Sequence, residues 1–411
     1  MAILLYIYLG YMFISLYMLS MFLIIYLKNK KDIFGYPIAN KKYTVSFIVP
    51  AYNEEKTIGE TIKHIFNIDY DSIIEVIVIN DCSTDNTLNI VKGLSKKYPK
   101  LKIIDHKNNK GKAGGLNDGL KIAKGELIVV VDADSYPASD SLKKMVGFFN
   151  NEKVGAVTCP VVARNANKFM EKLQNIEYKM IGLTRKLLDY VDSIYVTPGP
   201  LAVYRKKALI DIGGFDEKNM TEDIEVTWHL TYAGWLRRMC LATSVSSTVP
   251  NKFKAWFRQR RRWNVGGLQC IQKYKKSLFN PKRGMLGFFI IPFFIVSTFL
   301  GLLGLSIFFY LLIRRLISKF LYTRYSIIAN TPLLTLEDFY ITPTILNYLG
   351  IVLFFLGLIF LFIVFAVLKE KVFKKENILN IPFYMIVYIA FYPFIMLAAI
   401  RHMIRGKRIW R

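Results

Sequence analysis

Acidic side chains follow two of the apolar runs in this chain, where strands would end. Asp132 and Asp134 follow the run Leu127–Val131, and Asp81 follows Ile73–Ile79 and one asparagine. Two carboxylates spaced i, i+2 at a strand end can bring oxygens to one divalent cation, which in turn bridges a diphosphate. Burying three such carboxylates without a cation or a donor network would be costly. The residues therefore indicate a site for a hard cation and a phosphorylated ligand.

A glycine-rich segment with two lysines lies between these acidic positions. It runs from Asn109 to Asn117 and reads NKGKAGGLN. Backbone N–H groups at a helix start, together with ammonium charge, can hold phosphate oxygens. The spacing is not that of a Walker A loop. We expect this segment to face the phosphorylated ligand.

A second acidic motif, Thr221-Glu222-Asp223, stands at a predicted helix start. Thr221 is a candidate N-cap, and acidic residues in the first turn complement the helix dipole. That interpretation explains the motif by helix stability alone and assigns it no catalytic role. The alternative is that Asp223 acts as a general base beside a hydroxyl nucleophile.

The segment Trp256–Trp263 reads WFRQRRRW and combines basic and aromatic residues. One interpretation is a basic amphipathic helix on anionic lipid, which accounts for Trp256, Arg260 and Arg261. The remaining motif residues share one helical face at spacings i, i+3 and i+4. They offer a hydrogen-bonding amide, a bidentate phosphate binder and a flat ring for a sugar. These are Gln259, Arg262 and Trp263.

The elements that must position these residues alternate between strand and helix. The predicted strands are Thr44–Pro50, Ile73–Ile79 and Leu127–Val131, and the predicted helices are Glu55–Phe66, Thr84–Lys97 and Ala113–Ala123. Ser83 or Thr84 is a candidate N-cap of the second helix. This alternation predicts an α/β sheet with right-handed crossovers, in which ligands bind beyond the carboxyl ends of the strands.

Composition excludes an ordinary soluble enzyme and a disordered chain. The 411 residues are 53% hydrophobic, the mean hydropathy is +0.29 and the formal charge is +26. Such a charge on a hydrophobic chain indicates anionic lipid headgroups and phosphorylated substrates. Nucleic acid is not expected, because the basic residues flank apolar segments instead of forming one patch with reading motifs. The four cysteines are far apart and indicate neither a zinc site nor a disulfide framework.

The uncharged run Ala2–Leu27 is long enough to cross a bilayer, which takes about 20 residues. It lacks the basic start and the cleavage site of a signal peptide. Lysines at positions 28, 30 and 31 follow it, which predicts that the next domain is cytoplasmic.

Three further uncharged runs occupy the C-terminal part: Met285–Ile313, Ile345–Leu368 and Ile381–Ile400. If all three span, the basic stretches Arg314–Arg324 and Arg401–Arg411 lie outside and Lys369–Lys375 lies inside, against the positive-inside tendency. A re-entrant Met285–Ile313 would reverse this arrangement. We take three spans as the working prediction.

The predicted organisation has four parts. They are an N-terminal transmembrane helix (1–27), a cytosolic domain (28–251), an amphipathic interfacial segment (252–284) and a C-terminal transmembrane bundle (285–411). We expect a multi-pass protein of the plasma membrane.

In order along the chain, the motifs are NDCSTD, KAGGLN, DAD, GPLAVYR, TED and QRRRW. This series resembles that of the inverting family 2 glycosyltransferases, specifically the membrane-embedded processive synthases of cellulose, chitin, hyaluronan and poly-N-acetylglucosamine. TEDIEVTWHL and QRRRW look most like poly-N-acetylglucosamine synthases, whereas GPLAVYR looks more like hyaluronan and chitooligosaccharide synthases. The resemblance covers roughly Thr44 to Trp263. It implies an α/β GT-A domain, a mainly parallel sheet flanked by helices, between the N-terminal transmembrane helix and the C-terminal bundle.

The resemblance also implies a role for each motif residue. Donor and nucleotide binding falls to Pro50, Tyr52, Glu54, Asp81, Lys112, Asp132, Gln259 and Arg262. Asp134 would bind Mg²⁺ or Mn²⁺, and Asp223, with Glu222 beside it, would be catalytic. Gly199, Pro200 and Trp263 would bind the acceptor.

The implied reaction is inverting transfer from a UDP-sugar, with UDP-GlcNAc or UDP-glucose favoured, to a growing polysaccharide, with export as a further step. The alternative is transfer of one sugar to a membrane lipid, as ceramide glucosyltransferases and polyprenyl-phosphate sugar synthases do. The chain has fewer helices than the largest synthases, which leaves room for a homo-oligomer or an accessory subunit.

Overall fold

A computed structural model describes residues 2–329, 345–369 and 377–406. Parts of two predicted basic stretches, residues 370–375 and 407–411, lie outside these ranges.

Ten strands form two sheets. They are β1 Val45–Ala51, β2 Ile73–Asn80, β3 Leu101–Asp105, β4 Leu127–Val130, β5 Ser135–Pro137, β6 Val154–Thr158, β7 Val161–Ala163, β8 Ala202–Arg205, β9 Leu236–Met239 and β10 Val245–Ser247. The main sheet has the order β3-β2-β1-β4-β8-β6-β9, and the small sheet has the order β5-β10-β7. The three predicted strands are confirmed to within one residue at each end.

The helices of the strand-rich region are α2 Ile58–Phe66, α3 Thr87–Lys97, α4 Gly111–Ile122, α5 Ser141–Met145, α6 Phe169–Asp189, α7 Lys206–Asp211, α8 Glu222–Tyr232 and α9 Phe253–Tyr274. The flanking helices are α1 Ala2–Asn29, α10 Ile291–Ile328, α11 Ile345–Val367, α12 Asn377–Phe383 and α13 Tyr392–Ile404.

The prediction that Ser83 or Thr84 caps α3 is wrong. The N–H of Asn53 donates to Ser83 Oγ at 3.0 Å, and the N–H of Thr84 donates to Asn53 Oδ1 at 2.8 Å. These bonds tie together the turns after β1 and β2, so α3 begins only at Thr87, where Asp85 Oδ1 accepts from the backbone N–H.

Strand direction determines which loops meet. The sheet is mixed: four neighbouring pairs are parallel, and β8 is antiparallel to both β4 and β6. The start of β8 therefore lies at the edge where its antiparallel neighbours β4 and β6 end, with Ala202 opposite Val130. The loop before β8 consequently meets the loop after β4.

Both faces of the main sheet are buried. Val45, Phe47 and Val49 of β1 belong to one apolar cluster, and Ile48 belongs to the cluster on the other face. Such two-sided burial explains why the central strands read as continuous apolar runs instead of alternating patterns.

Four described helices are long and apolar enough to cross a membrane: Leu5–Asn29, Leu286–Ile328, Gly350–Val367 and Ile378–Ile404. The second has 43 residues, about 65 Å at 1.5 Å per residue, whereas a hydrocarbon core is about 30 Å thick. The basic stretch Arg314–Arg324 therefore continues this helix.

The last membrane helix is joined to α6 and α9 through a buried ion pair. Glu177 of α6 binds the Arg260 guanidinium and also accepts hydrogen bonds from the hydroxyls of Tyr388 and Tyr392. Arg260 and Trp256 are 0% exposed. The prediction that these two residues lie on lipid headgroups is thus wrong, because Glu177 satisfies the arginine and an aromatic cluster encloses the tryptophan.

Candidate active site

A cavity of about 580 Å³ lies beyond the carboxyl edge of the main sheet. The polar side chains at one end include those of Lys112, Asp132, Asp134, Glu222, Asp223, Gln259 and Arg262. At its other end the walls are apolar and include Phe293 and Phe294 of α10 and Met396 of α13. The cavity thus extends from a charged site to the membrane-type helices.

Lys112 lies at the centre of the charged end. Its Nζ is 2.6 Å from Asp132 Oδ1 after β4 and 2.6 Å from Glu222 Oε1 at the start of α8. Burial acts to lower the pKa of Lys112, but the charges of Asp132, Glu222 and Asp223 outweigh it and raise that pKa. A permanently charged ammonium therefore holds the strand end and the helix start together.

Gly199 packs directly on this ion pair. A Cβ at this position would lie 2.5 Å from Lys112 Nζ and 2.8 and 2.9 Å from the two Asp132 carboxylate oxygens. Only glycine fits there without moving the pair, and Pro200 beside it also lines the cavity. The acceptor role of these two residues stays a prediction.

We expect Gly199→Ala to lower turnover by about a hundredfold, because a misplacement of about 1 Å in a catalytic constellation has that cost. UDP release by the purified protein measures the effect. Gly93→Ala is the matched control, since a Cβ there meets nothing within 4 Å. Unchanged turnover in Gly199→Ala would show that the Lys112–Asp132 contact does not need this backbone approach.

Asp223 and Glu222 begin α8 with different electrostatics. Burial raises the pKa of Asp223 to about 6, assisted by the charge of Glu222. Burial also acts to raise the pKa of Glu222, but Lys112 and Arg262 overcome it and lower that pKa. Asp223 therefore has the higher proton affinity of the two, which a general base near neutral pH requires. Thr221 occupies the predicted N-cap position of α8, but its hydroxyl donates to Asn219 Oδ1 at 3.3 Å and makes no capping hydrogen bond.

Asp134 and Asp132 fit a cation whose coordination is completed by phosphate oxygens of the substrate. Burial, with the charges of Asp132 and Glu54, raises the pKa of Asp134 to about 7. A bound cation would relieve this repulsion. Within the described residues no group of three or more His, Cys, Asp or Glu side chains could hold a metal. Mg²⁺ and Mn²⁺ sites built on one or two carboxylates plus substrate phosphates do not need such a group.

The residues of the QRRRW helix reach the same cavity. Gln259, Arg262 and Trp263 of α9 all contribute to its lining. The Arg260 guanidinium lies 4.0 Å from the centroid of the Trp263 ring on the side away from solvent. The structure thus brings the three residues of this helical face to one cavity, and their binding roles stay a prediction.

Four of the predicted donor-binding residues lie outside the cavity lining: Pro50, Tyr52, Glu54 and Asp81. Asp81 Oδ1 accepts from the N–H of Lys110 at 2.8 Å, and Oδ2 accepts from the N–H of Gly111 at 2.8 Å. His106 Nδ1 lies 2.9 Å from Oδ1. The Asp81 carboxylate thus occupies the N–H groups of Lys110 and Gly111, which are not available to phosphate. The expectation that the rest of the segment faces the phosphorylated ligand stays a prediction, and Lys112 lines the cavity.

Sequence reasoning missed the contribution of α6 to the site. Tyr178, Ile181, Gly182 and Arg185 line the cavity at spacings of i, i+3, i+4 and i+7. This stripe is the signal that could have found them. It was obscured because an arginine in such a pattern is usually assigned to the solvent face.

Comparison with known proteins agrees with this geometry. The family model for glycosyl transferase family 2 matches residues 46–213. Residues 46–213 form a family 2 glycosyltransferase domain. The chain is 32% identical over 251 residues to a poly-beta-1,6-N-acetyl-D-glucosamine synthase of Staphylococcus epidermidis. The matched segment covers 61% of this chain and 60% of the relative. It is 30% identical over 241 residues to the synthase of the same name from Staphylococcus aureus strain COL, covering 58% of each.

A solved mannosyltransferase from Pyrobaculum calidifontis, in complex with GDP-Man and Mn²⁺, has a TM-score of 0.59 to this chain. The identity is 19%, and the match covers 97% of this chain and 99% of that one. This likeness shows the fold, and the domain is of the GT-A type with a mixed sheet flanked by helices. The chain spans about 60% of the length of the curated relatives it matches.

Proposed function

We propose that this protein is an inverting β-glycosyltransferase that uses a UDP-sugar to extend a polysaccharide at the cytoplasmic face of the plasma membrane. The observation that carries the proposal is a half-buried Asp223 in the same cavity as the Lys112–Asp132 pair and Arg262. A base and a cationic site for a leaving diphosphate thus share one space. The names of the two staphylococcal relatives support N-acetylglucosamine as the transferred sugar.

In the proposed reaction, the acceptor hydroxyl attacks the anomeric carbon as UDP leaves from the opposite side. Asp223 accepts the hydroxyl proton, and its pKa of about 6 leaves it mostly ionised at neutral pH. One displacement converts the α-linkage of the donor into a β-glycoside. The product is the acceptor longer by one sugar, together with UDP.

The leaving diphosphate needs positive charge. Arg262 and Lys112 supply two cationic side chains in the cavity, and well-placed electrostatic groups are each worth about 3–4 kcal/mol in such reactions. Asp134 and Asp132 would hold Mg²⁺ or Mn²⁺, and when bound the cation would neutralise further diphosphate charge. Glu222 keeps Lys112 in position beside Asp132.

The acceptor would enter from the apolar end of the cavity. Trp263 offers a ring on which a sugar can stack, and Phe293 and Phe294 continue the apolar wall into α10. This continuity supports a path for a growing chain toward the membrane helices. The lysines after α1 support a cytoplasmic active site, with four helices suited to spanning.

The test is an assay of full-length protein in detergent with Mg²⁺ or Mn²⁺ and a panel of UDP-sugars. UDP release and product size are measured together. We expect turnover with UDP-N-acetylglucosamine and a high-molecular-weight product. Turnover only after addition of a lipid acceptor, with a single sugar attached, would contradict the polysaccharide assignment in favour of a lipid glycosyltransferase.

A further inference from the structure

Arg185 is a buried cation that forms no salt bridge with the described residues. It lies on α6, is 6% exposed and lines the cavity. Its Nε is buried without a hydrogen-bond partner. Within the described ranges no carboxylate lies within 4 Å of its guanidinium nitrogens. The free energy of such a group is unfavourable unless something else bonds to it.

Two other arginines, Arg260 and Arg237, are also buried, but they donate hydrogen bonds to protein acceptors. Arg260 is paired with Glu177. Arg237 donates to the backbone oxygens of Trp235 at 2.9 Å and Asp192 at 2.7 Å. Arg237 Nε is also unpaired, but the terminal nitrogens of Arg237 and the Arg260 guanidinium have protein acceptors. Among the described residues Arg185 has no such acceptor for any guanidinium nitrogen.

Arg185 is electrostatically coupled to Asp223, the proposed base. Asp223 is the carboxylate whose charge acts on it most, together with Tyr195, and burial lowers the pKa of Arg185. The cavity wall around it is formed by Tyr178, Ile181 and Tyr195. An isolated donor group in such a wall is what fixes the orientation of a bound ligand.

We propose that Arg185 binds the terminal sugar of the acceptor by donating hydrogen bonds to its substituent oxygens, and so holds the attacking hydroxyl beside Asp223. The proposal rests on the proposed function and adds a residue to its acceptor site. Hydroxyl and acetamide carbonyl oxygens are neutral acceptors that are tolerated beside the Asp223 carboxylate. A phosphate there would be repelled by that carboxylate, which disfavours a lipid phosphate as the partner.

Removal of the Arg185 guanidinium is therefore expected to affect stability and acceptor binding differently. In the unliganded protein the buried Nε of Arg185 has no acceptor, so we expect that removal of the guanidinium does not destabilise the fold. In the complex the same group supplies charged hydrogen bonds. A structural arginine behaves in the opposite way, since its loss leaves protein carbonyls unpaired.

The experiment compares full-length wild type with Arg185→Gln and Arg237→Gln in detergent. Calorimetry measures the binding of a β-1,6-linked N-acetylglucosamine pentasaccharide to the UDP-bound protein, and thermal unfolding is followed without ligand. For Arg185→Gln we expect pentasaccharide affinity lower by about ten- to a hundredfold, the range for hydrogen bonds to charged groups. Its Tm should equal or exceed that of wild type, whereas Arg237→Gln should lower the Tm.

Three results would overturn the proposal. The first is equal pentasaccharide affinity of wild type and Arg185→Gln. The second is a Tm loss in Arg185→Gln as large as that in Arg237→Gln. The third is weaker binding of UDP alone by Arg185→Gln, which would assign Arg185 to the donor site. Tighter binding of undecaprenyl phosphate than of the pentasaccharide, lost in Arg185→Gln, would also overturn it in favour of a lipid phosphate. Because binding is measured without turnover, absence of UDP release by wild type would count against the proposed function alone.

Discussion

Replacement of Asp223 by asparagine is expected to lower turnover by about 10²–10⁴-fold, the usual contribution of a general base. The side chain keeps its size and its place at the start of α8, but it loses the capacity to accept a proton. UDP release under saturating donor measures the loss. UDP affinity, measured by calorimetry, should change little, because the base acts on the acceptor hydroxyl.

The pH dependence of kcat/KM distinguishes a role of Asp223 from one of its neighbour Glu222. The pKa of Asp223 is raised to about 6, so the active carboxylate form is lost as the pH falls through 6. The pKa of Glu222 is lowered by Lys112 and Arg262 against the effect of burial, so it stays ionised over the same range. We expect kcat/KM of wild type to fall below pH 6 and the residual activity of Asp223→Asn to lack this limb.

Asp71→Asn is the control, because that carboxylate is 90% exposed and far from the cavity. It should reproduce the wild-type rate and pH profile. Wild-type turnover in Asp223→Asn, or an unchanged acid limb, would rule out Asp223 as the base. Loss of that limb in Glu222→Gln instead would transfer the role to Glu222.

Replacement of Glu177 by glutamine is expected to destabilise the protein by about 3–5 kcal/mol, the cost of removing one partner of a buried ion pair. Arg260 would then be a fully buried cation without its counter-ion. The hydroxyls of Tyr388 and Tyr392 would lose a charged acceptor in the same step. Thermal unfolding of the full-length protein in detergent measures the loss.

A double variant tests the cause of that loss. In Glu177→Leu/Arg260→Met both charges are removed, and the free energy of unfolding should recover relative to Glu177→Gln. Recovery would identify the unpaired arginine as the source of the instability. If Glu177→Gln is as stable as wild type, the buried network does not join the last membrane helix to α6 and α9 energetically.

The central strands could be predicted because their physical cause is local. A run such as Ile73–Ile79 is β-branched and apolar throughout, and burial on both faces of a parallel sheet requires that pattern. The acidic residues after β4 follow from the same reasoning, since ligands bind at that edge. The glycine-rich segment shows where prediction from local sequence fails. Its sequence indicates free N–H groups, but the Asp81 carboxylate occupies two of them in the fold.

The helix Phe253–Tyr274 shows a second limit. Its basic and aromatic residues predict a surface on lipid, because an isolated arginine is stable only in water or at a headgroup. The structure instead buries Trp256 and Arg260 against α6 and the last membrane helix. Sequence cannot reveal this, because Glu177 is 83 residues away and only the packing of three helices brings it to Arg260.

The sequence by itself determined the strand and helix alternation of the first 130 residues, the apolar helices at both ends, and the side chains able to bind a diphosphate and accept a proton. Those properties depend on residue types and short spacings. Tertiary structure alone decided that β8 runs antiparallel, so that Gly199 meets the Lys112–Asp132 pair. It also decided that Arg185 lines the cavity with its Nε unpaired among the described residues. Both facts depend on contacts between distant segments, for which no local pattern exists.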